Sequence, residues 1–227
     1  ILWRSRGSRT AAGLARIILD PDTSIQELPR YLRALDYQAQ EPRNLAALQL
    51  VLADQRDNPQ RQALVVGEAL RRITNIDLKN NAEARAAIGR LLDRSRATSQ
   101  FVAVVDRFQL TDRYPALLEL AWRNPDTQLG IDAVRVLLSR KQDRLLRAGL
   151  AAKAAEQSTG TARVLANAGD ARATTILRPL VDDARQPLAI RREAVRGVVR
   201  GSKNGAQVIL DRVRKKTLPV ELKQAAG

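Results

Sequence analysis

The sequence contains no cysteine, no histidine and no methionine among its 227 residues. Thiol nucleophiles, disulfides, imidazole bases and the usual zinc sites need cysteine or histidine, so this chain can build none of them. Haem ligation by histidine, methionine or cysteine is excluded within the chain for the same reason. We therefore expect a non-enzymatic segment with no catalytic residue, no bound metal and no cofactor.

Other features are scarce as well. Because there is no methionine, Ile1 is not an initiator residue, and we expect the chain to be part of a longer protein. No run of about 18 apolar residues occurs, so we expect no transmembrane segment. Aromatic residues make up only 3% of the chain, and strand signals such as sustained period-two alternation are missing. The apolar residues are mostly Leu, Ala, Val and Ile, which suits close helix packing, so the sequence predicts an all-α fold.

Residues 173–201 carry the clearest helical pattern. Two apolar stripes at helical spacing are separated at Gln186-Pro187, where the proline removes a backbone donor and disfavours a helical conformation in the residue before it. Gly201 is a C-terminal stop signal. Neither helix can bury its stripe alone, so the pattern predicts two helices folded against each other.

The same two-helix design recurs along the chain. Turns within pairs fall near residues 21, 59, 96, 125, 157, 187 and 219, a period of roughly 30 to 40 residues. The sequence therefore predicts an α-solenoid of about six to seven antiparallel helix pairs, forming one domain over residues 1–227. A helical bundle with accidental spacing is the alternative. Before residue 173, the predicted helices cover 9–19, 24–38, 43–53, 60–73, 82–94, 99–110, 114–122, 127–139, 141–155 and 161–168; after residue 201, they cover 207–213, with a further start at Val220.

The helix pairs resemble HEAT repeats, in which an apolar first helix, an Asp-rich turn and an Arg-x-x-Ala motif follow one another. That pattern stands here as LVDDARQPLAIRREAVRGVV, with Asp182, Asp183, Arg192 and Ala194 in place. A weaker copy is LAWRNPDTQLGIDAVRVLL, which lacks the arginine of the turn. The resemblance implies a scaffold or protein-binding module.

The chain also resembles the helical-repeat segment of large multidomain haem-binding proteins of planctomycetes, in which a β-propeller of membrane-bound dehydrogenase type precedes the repeats and a c-type cytochrome follows. The residues that carry this resemblance are PRYLRALDYQ, IRREAVRGVVRG and LPVELKQAA. It implies an exported bacterial protein in which the repeats space or dock neighbouring modules; otherwise a cytoplasmic location is expected. The chain has no Cys-x-x-Cys-His, so haem would belong to a neighbouring segment.

Charge is the remaining functional signal. The formal net charge is +15, which favours an acidic partner, although an arginine-rich surface that only contacts solvent is the plain alternative. Arg192, Arg196 and Arg200 follow at i, i+4 and i+8 and therefore share one helix face. The predicted contact residues for an acidic protein or neighbouring domain are Arg192, Arg196, Arg200, Lys203, Arg212, Lys215 and Lys216.

A second function stays open from the sequence. Stacked units would align these cations into a ridge, as in HEAT-like alkylpurine DNA glycosylases, which bind the DNA backbone and present Trp and Asp around a damaged base. Trp122 and Asp126 match that pair poorly, and few aromatics are available for stacking on bases. We interpret Gly197, Gly201 and Gly205 as close helix contacts and stops. The paired acids Asp20/Asp22, Asp54/Asp57 and Asp182/Asp183 are interpreted as helix caps in turns.

Overall fold

A computed structural model describes residues 8–53, 58–74 and 82–225. Within these ranges the protein is all-helical, with no strand, as the sequence predicts. The chain divides into two compact units, Ile1–Arg96 and Ala97–Gly227. The prediction of one continuous domain over residues 1–227 stays a prediction.

The first unit contains five described helices. Their apolar faces form its core, in which α3 packs against α1, α4 and α5 and α2 packs against α1 and α4. Leu28, Leu35 and Leu50 are almost fully buried there. The helices are α1 (Ser8–Leu19), α2 (Leu28–Ala34), α3 (Gln40–Leu52), α4 (Pro59–Arg72) and α5 (Ala82–Arg94), with a short 3-10 helix at Leu35–Tyr37.

The second unit is built around α10, which packs against α7, α8, α9, α11 and α12. Helices α7 and α8 pack on each other, as do α11 and α12. The helices are α6 (Ser99–Phe108), α7 (Tyr114–Arg123), α8 (Gln128–Ser139), α9 (Asp143–Leu150), α10 (Ala155–Ala168), α11 (Ala171–Asp182), α12 (Leu188–Gly201) and α13 (Gly205–Arg214). Two 3-10 helices, Thr111–Arg113 and Val220–Ala225, complete the unit.

Glycines allow α12 to approach its neighbours closely. A Cβ on Gly197 would lie 2.3 Å from Leu177 Cδ1, and one on Gly205 would lie 1.9 Å from the carbonyl oxygen of Val198. A Cβ on Gly201 would fall 2.2 Å from the Thr174 hydroxyl. The prediction that these three glycines mark close helix contacts is confirmed.

The predicted turn at Gln157–Gly160 is wrong, because α10 runs through it without a break. The hydroxyls in and next to this segment are hydrogen-bonded inside the helix: Thr161 donates to the carbonyl of Gln157 at 2.7 Å, and Ser158 donates to that of Ala155 at 3.2 Å. Gly160 is required by packing, since a Cβ there would lie 2.4 Å from the carbonyl oxygen of Trp122 on α7. The preceding helix, predicted over 141–155, is correspondingly shorter.

Smaller differences occur at helix ends. The helix predicted from residue 24 begins at Leu28, because Glu27 Oε2 accepts from the Ser24 hydroxyl at 3.0 Å within a turn that precedes the helix. The helix predicted from Val220 is a 3-10 helix. Leu45 on α3 is apolar but 48% exposed.

The acid pairs do not cap the helices that follow them. Asp20 accepts from the backbone N–H of Asp22 inside its turn, and Asp183 accepts from the backbone N–H of Arg185. The N-cap of α12 is Pro187, which has no side chain able to accept. Asp54 and Asp57 lie outside the described residues. Side-chain caps come instead from Asn58, Thr98, Thr127 and Asp170.

None of the helices in residues 8–53, 58–74 and 82–225 combines the length and apolar character that crossing a bilayer requires.

Candidate functional site

The predicted arginine row lies on α12, opposite its buried stripe. Ile190, Ala194 and Val198 are at most 1% exposed, which fixes the rotation of the helix. Arg196 and Arg200 are consequently exposed, and Arg192 is half-buried. The helix geometry therefore places all three arginines on one face, as the spacing predicts.

Each arginine of the row is bonded within the chain. Arg196 Nη1 lies 2.8 Å from Glu193 Oε1, and Arg200 Nη1 donates to Asn167 Oδ1 at 2.7 Å. Arg192 Nε donates to the carbonyl oxygen of Glu221 at 3.4 Å. The row thus connects α12 to α10 on one side and to the C-terminal 3-10 helix on the other.

This network continues to the turn before α8. Arg163 on α10 bridges two acids, with Nε 3.4 Å from Glu193 Oε1 and Nη1 3.3 Å from Asp126 Oδ2. Asn167 donates to the carbonyl oxygen of Pro125 at 2.9 Å and to Asp126 Oδ1 at 3.1 Å. The side chain of Glu193 is only 6% exposed, and a carboxylate this deeply buried needs such partners.

The other predicted contact residues are not part of that row. Arg212 binds Asp182 on α11 through both Nη atoms. Lys203 is exposed in the turn between α12 and α13, and Lys215 and Lys216 are exposed after α13. The structure therefore gives Arg212 an internal role and leaves the three lysines in contact with solvent.

Sequence reasoning missed a set of bridges between helices of neighbouring pairs. Arg172 on α11 binds both oxygens of Asp143 on α9, at 2.7 and 3.0 Å. Arg140 binds Asp106 on α6, with Nε and Nη2 3.0 and 2.8 Å from Oδ1. The hydrogen bonds from Arg172 hold the pKa of Asp143 below its usual value. The separations in sequence are 34, 29 and 30 residues for the bridges of Asp106, Asp143 and Asp182, so a search at the repeat period would have found them.

A buried arginine was also missed. Arg61 on α4 is 6% exposed and donates to three carbonyl oxygens at the end of α1, those of Ile18 at 2.7 Å, Asp20 at 2.6 Å and Thr23. No local sequence signal separates it from Arg71, the exposed arginine of α4.

The other candidate binding residues already have partners within the chain. The carboxylate of Asp126 binds Arg163 and Asn167. Trp122 is half-buried, and the guanidinium of Arg123 lies 4.9 Å from the centroid of its ring. A groove of about 440 Å³ lies between α6 and α8, but its carboxylates are engaged, Asp106 by Arg140 and Asp132 by Gln128 at 2.7 Å. Over the part of the chain described, no three acidic side chains are grouped as metal ligands would be.

The fold and its surface define an all-helical protein built from packed helices that are bridged by arginines. No family model matches the chain, and no curated protein matches it. Among solved structures, the chain is similar to the crystal structure of an engineered protein, with 17% sequence identity and a TM-score of 0.31. The match covers 96% of this chain and 62% of that one, so the chain spans less than two thirds of the length of that protein.

Proposed function

We propose that the chain is a HEAT-like α-solenoid that acts as a non-enzymatic scaffold, with a basic surface that docks an acidic protein or a neighbouring domain. The observation that carries this proposal is a group of arginine bridges in the second unit whose partners lie about one repeat apart in sequence. Asp106, Asp143 and Asp182 each bind an arginine that follows in the sequence, 34, 29 and 30 residues later. Bridges that recur at the repeat period are expected when each unit is fixed mainly by its neighbour.

Charge supports the docking role. The chain carries 39 Lys and Arg against 24 Asp and Glu, so the acids cannot neutralise the surface even when every one of them is paired. An excess of this kind attracts acidic partners and accelerates their association at low salt.

The resemblance to multidomain haem-binding proteins leads to a proposal about context. In that setting the array would space a dehydrogenase-type propeller and a cytochrome in an exported protein, and the haem would be bound outside residues 1–227. Reading the gene beyond Gly227 tests this: a Cys-x-x-Cys-His motif in the same frame would support it, and an immediate stop codon would contradict it.

A binding comparison tests the docking role against nucleic-acid binding. The probes are a fluorescein-labelled peptide of ten glutamates and a labelled 20-base-pair duplex, each titrated with the full chain at 50 and 200 mM salt. We expect the peptide to bind at 50 mM salt and the duplex not to. Micromolar duplex binding that weakens by about a thousandfold or more between the two salt concentrations would indicate multiple phosphate contacts and overturn the scaffold proposal.

A further inference from the structure

The side chains of a positive cluster at α9 have no hydrogen-bonded partner in the part of the chain that the structure describes. Lys141, Arg144 and Arg147 are all exposed, and their side chains make no hydrogen bond with the residues that the structure describes. They follow one another at intervals of three residues, where α9 begins. We call these three residues the α9 cluster.

The acids near the cluster are already engaged. Asp143 lies within it in sequence, but both of its carboxylate oxygens bind Arg172, at 2.7 and 3.0 Å. The residue that precedes the cluster, Arg140, holds Asp106 by two bonds to Oδ1. Both carboxylates are hydrogen-bonded to other arginines, and Asp143 acts on Arg147 only through its charge. One carboxylate that Arg172 already binds cannot balance three cations, so positive charge remains available to an external group.

The arginine row of α12 differs in this respect. Arg196 and Arg200 have acceptors on α12 and α10 at 2.8 and 2.7 Å. A partner that recruited them would have to replace these bonds, and it would gain less from them than from cations that only water solvates.

We propose that the α9 cluster is the surface that receives an acidic protein segment, an inference that rests on the docking function proposed above. Arg144 and Arg147 are separated by about 4.5 Å along the helix axis. Carboxylates on every second residue of an extended segment lie about 6.6 Å apart. This spacing is longer than that of the two arginines, but their long side chains can adjust to it. Two or three carboxylates therefore match the cluster.

A nucleic acid fits the same cluster less well. Three cations reach only a few phosphates, whereas a duplex-binding protein can make about 6 to 10 phosphate contacts. Single strands require aromatic platforms, and the four aromatic side chains of the second unit, Phe101, Phe108, Tyr114 and Trp122, are buried or half-buried.

The test uses the full chain and the fluorescein-labelled peptide of ten glutamates at 50 mM salt, read by fluorescence anisotropy. Arg144→Gln combined with Arg147→Gln is expected to weaken binding at least about fivefold. The matched control, Lys153→Gln with Arg178→Gln, removes the same charge from two exposed positions outside the cluster and is expected to change affinity less than about twofold. All four side chains are exposed, and circular dichroism verifies that each variant keeps its helices.

Each result leads to a decision. If the unmodified chain does not bind the peptide, the docking function itself is overturned. If the chain binds but the α9 variant and the control lose affinity equally, the docking function stands and the α9 surface is wrong. A larger loss from Arg196→Gln with Arg200→Gln would place the contact on α12 instead. If the 20-base-pair duplex binds more tightly than the peptide and depends on Arg144 and Arg147, the partner is a nucleic acid and the proposal of an acidic protein segment fails.

Discussion

Replacing Arg61 by alanine should destabilise the first unit far more than replacing Arg71, the exposed arginine of the same helix. The guanidinium of Arg61 donates hydrogen bonds to the carbonyl oxygens of Ile18, Asp20 and Thr23. Ile18 lies in the last turn of α1, and the other two residues follow that helix. These carbonyls lie where the helix dipole is negative, so a buried cation is favourable there. Alanine would remove every one of these donors.

The magnitude follows from the bonds. Hydrogen bonds from a charged donor contribute about 1.5–3 kcal/mol each. The net contribution of Arg61 to the free energy of unfolding is smaller than the sum of three such bonds. A side chain that is 6% exposed has lost hydration, and Arg61 Nε has no acceptor. We expect a net loss of about 3 kcal/mol in the free energy of unfolding for Arg61→Ala.

Urea unfolding followed by circular dichroism measures this loss. Arg71→Ala is the matched control, because that side chain is 74% exposed and pairs with Glu68 within the same helix, and it should cost less than about 0.5 kcal/mol. Arg61→Lys should lie between the two, since one ammonium cannot match the planar fork that reaches three carbonyls. If Arg61→Ala fell within 1 kcal/mol of the Arg71→Ala variant, the reasoning about the buried guanidinium would be refuted.

Four further predictions concern local contacts. Gly160→Ala should destabilise by about 1–3 kcal/mol, because its methyl group would lie 2.4 Å from a backbone oxygen of α7. Gly67→Ala, where a Cβ meets nothing within 4 Å, should stabilise α4 by about 0.5–1 kcal/mol. Asp170→Ala should cost about 1 kcal/mol, because the carboxylate caps two N–H groups of α11 at 2.7 and 3.2 Å. Hydrogen bonds, first from the Arg185 side chain, lower the pKa of Asp183 from 3.8 to about 2. Its contribution to stability is therefore full above about pH 4 and is lost as the pH falls toward 2.

The measurements separate these predictions from their alternatives. Thermal and urea unfolding measure the stability of the Gly160→Ala and Gly67→Ala variants. If both substitutions changed stability equally, helix propensity rather than packing would determine the effect at residue 160. An Asp170→Asn variant should keep most of the cap, so a loss equal to that of alanine would contradict the capping role. The pKa of Asp183 can be read by carboxyl NMR, and Arg185→Ala should return it toward 3.8; an unchanged value would contradict the assigned cause.

The apolar periodicity of the sequence determined the helices because it records which side of a helix meets other residues. The predictions over residues 82–94 and 188–201 agree with the observed bounds of α5 and α12. The all-helical class is confirmed, and so is the role of the glycines on α12. The helix bounds and the glycine contacts depend on residues of the same helix or of the adjacent one. Because those residues are close in sequence, the local sequence pattern is enough to predict them.

Only the tertiary structure decided what the polar residues do. Gln157–Gly160 has the composition of a turn, yet it lies inside α10, where Gly160 packs against the backbone of α7. Arg61 and Arg144 look alike in sequence, but one is a buried donor to the end of α1 and the other is exposed on α9. Whether an arginine is internal or available depends on whether an acceptor from a distant helix lies within about 3 Å of it. That distance is set by packing between segments about 30 or more residues apart, which the local sequence pattern does not encode.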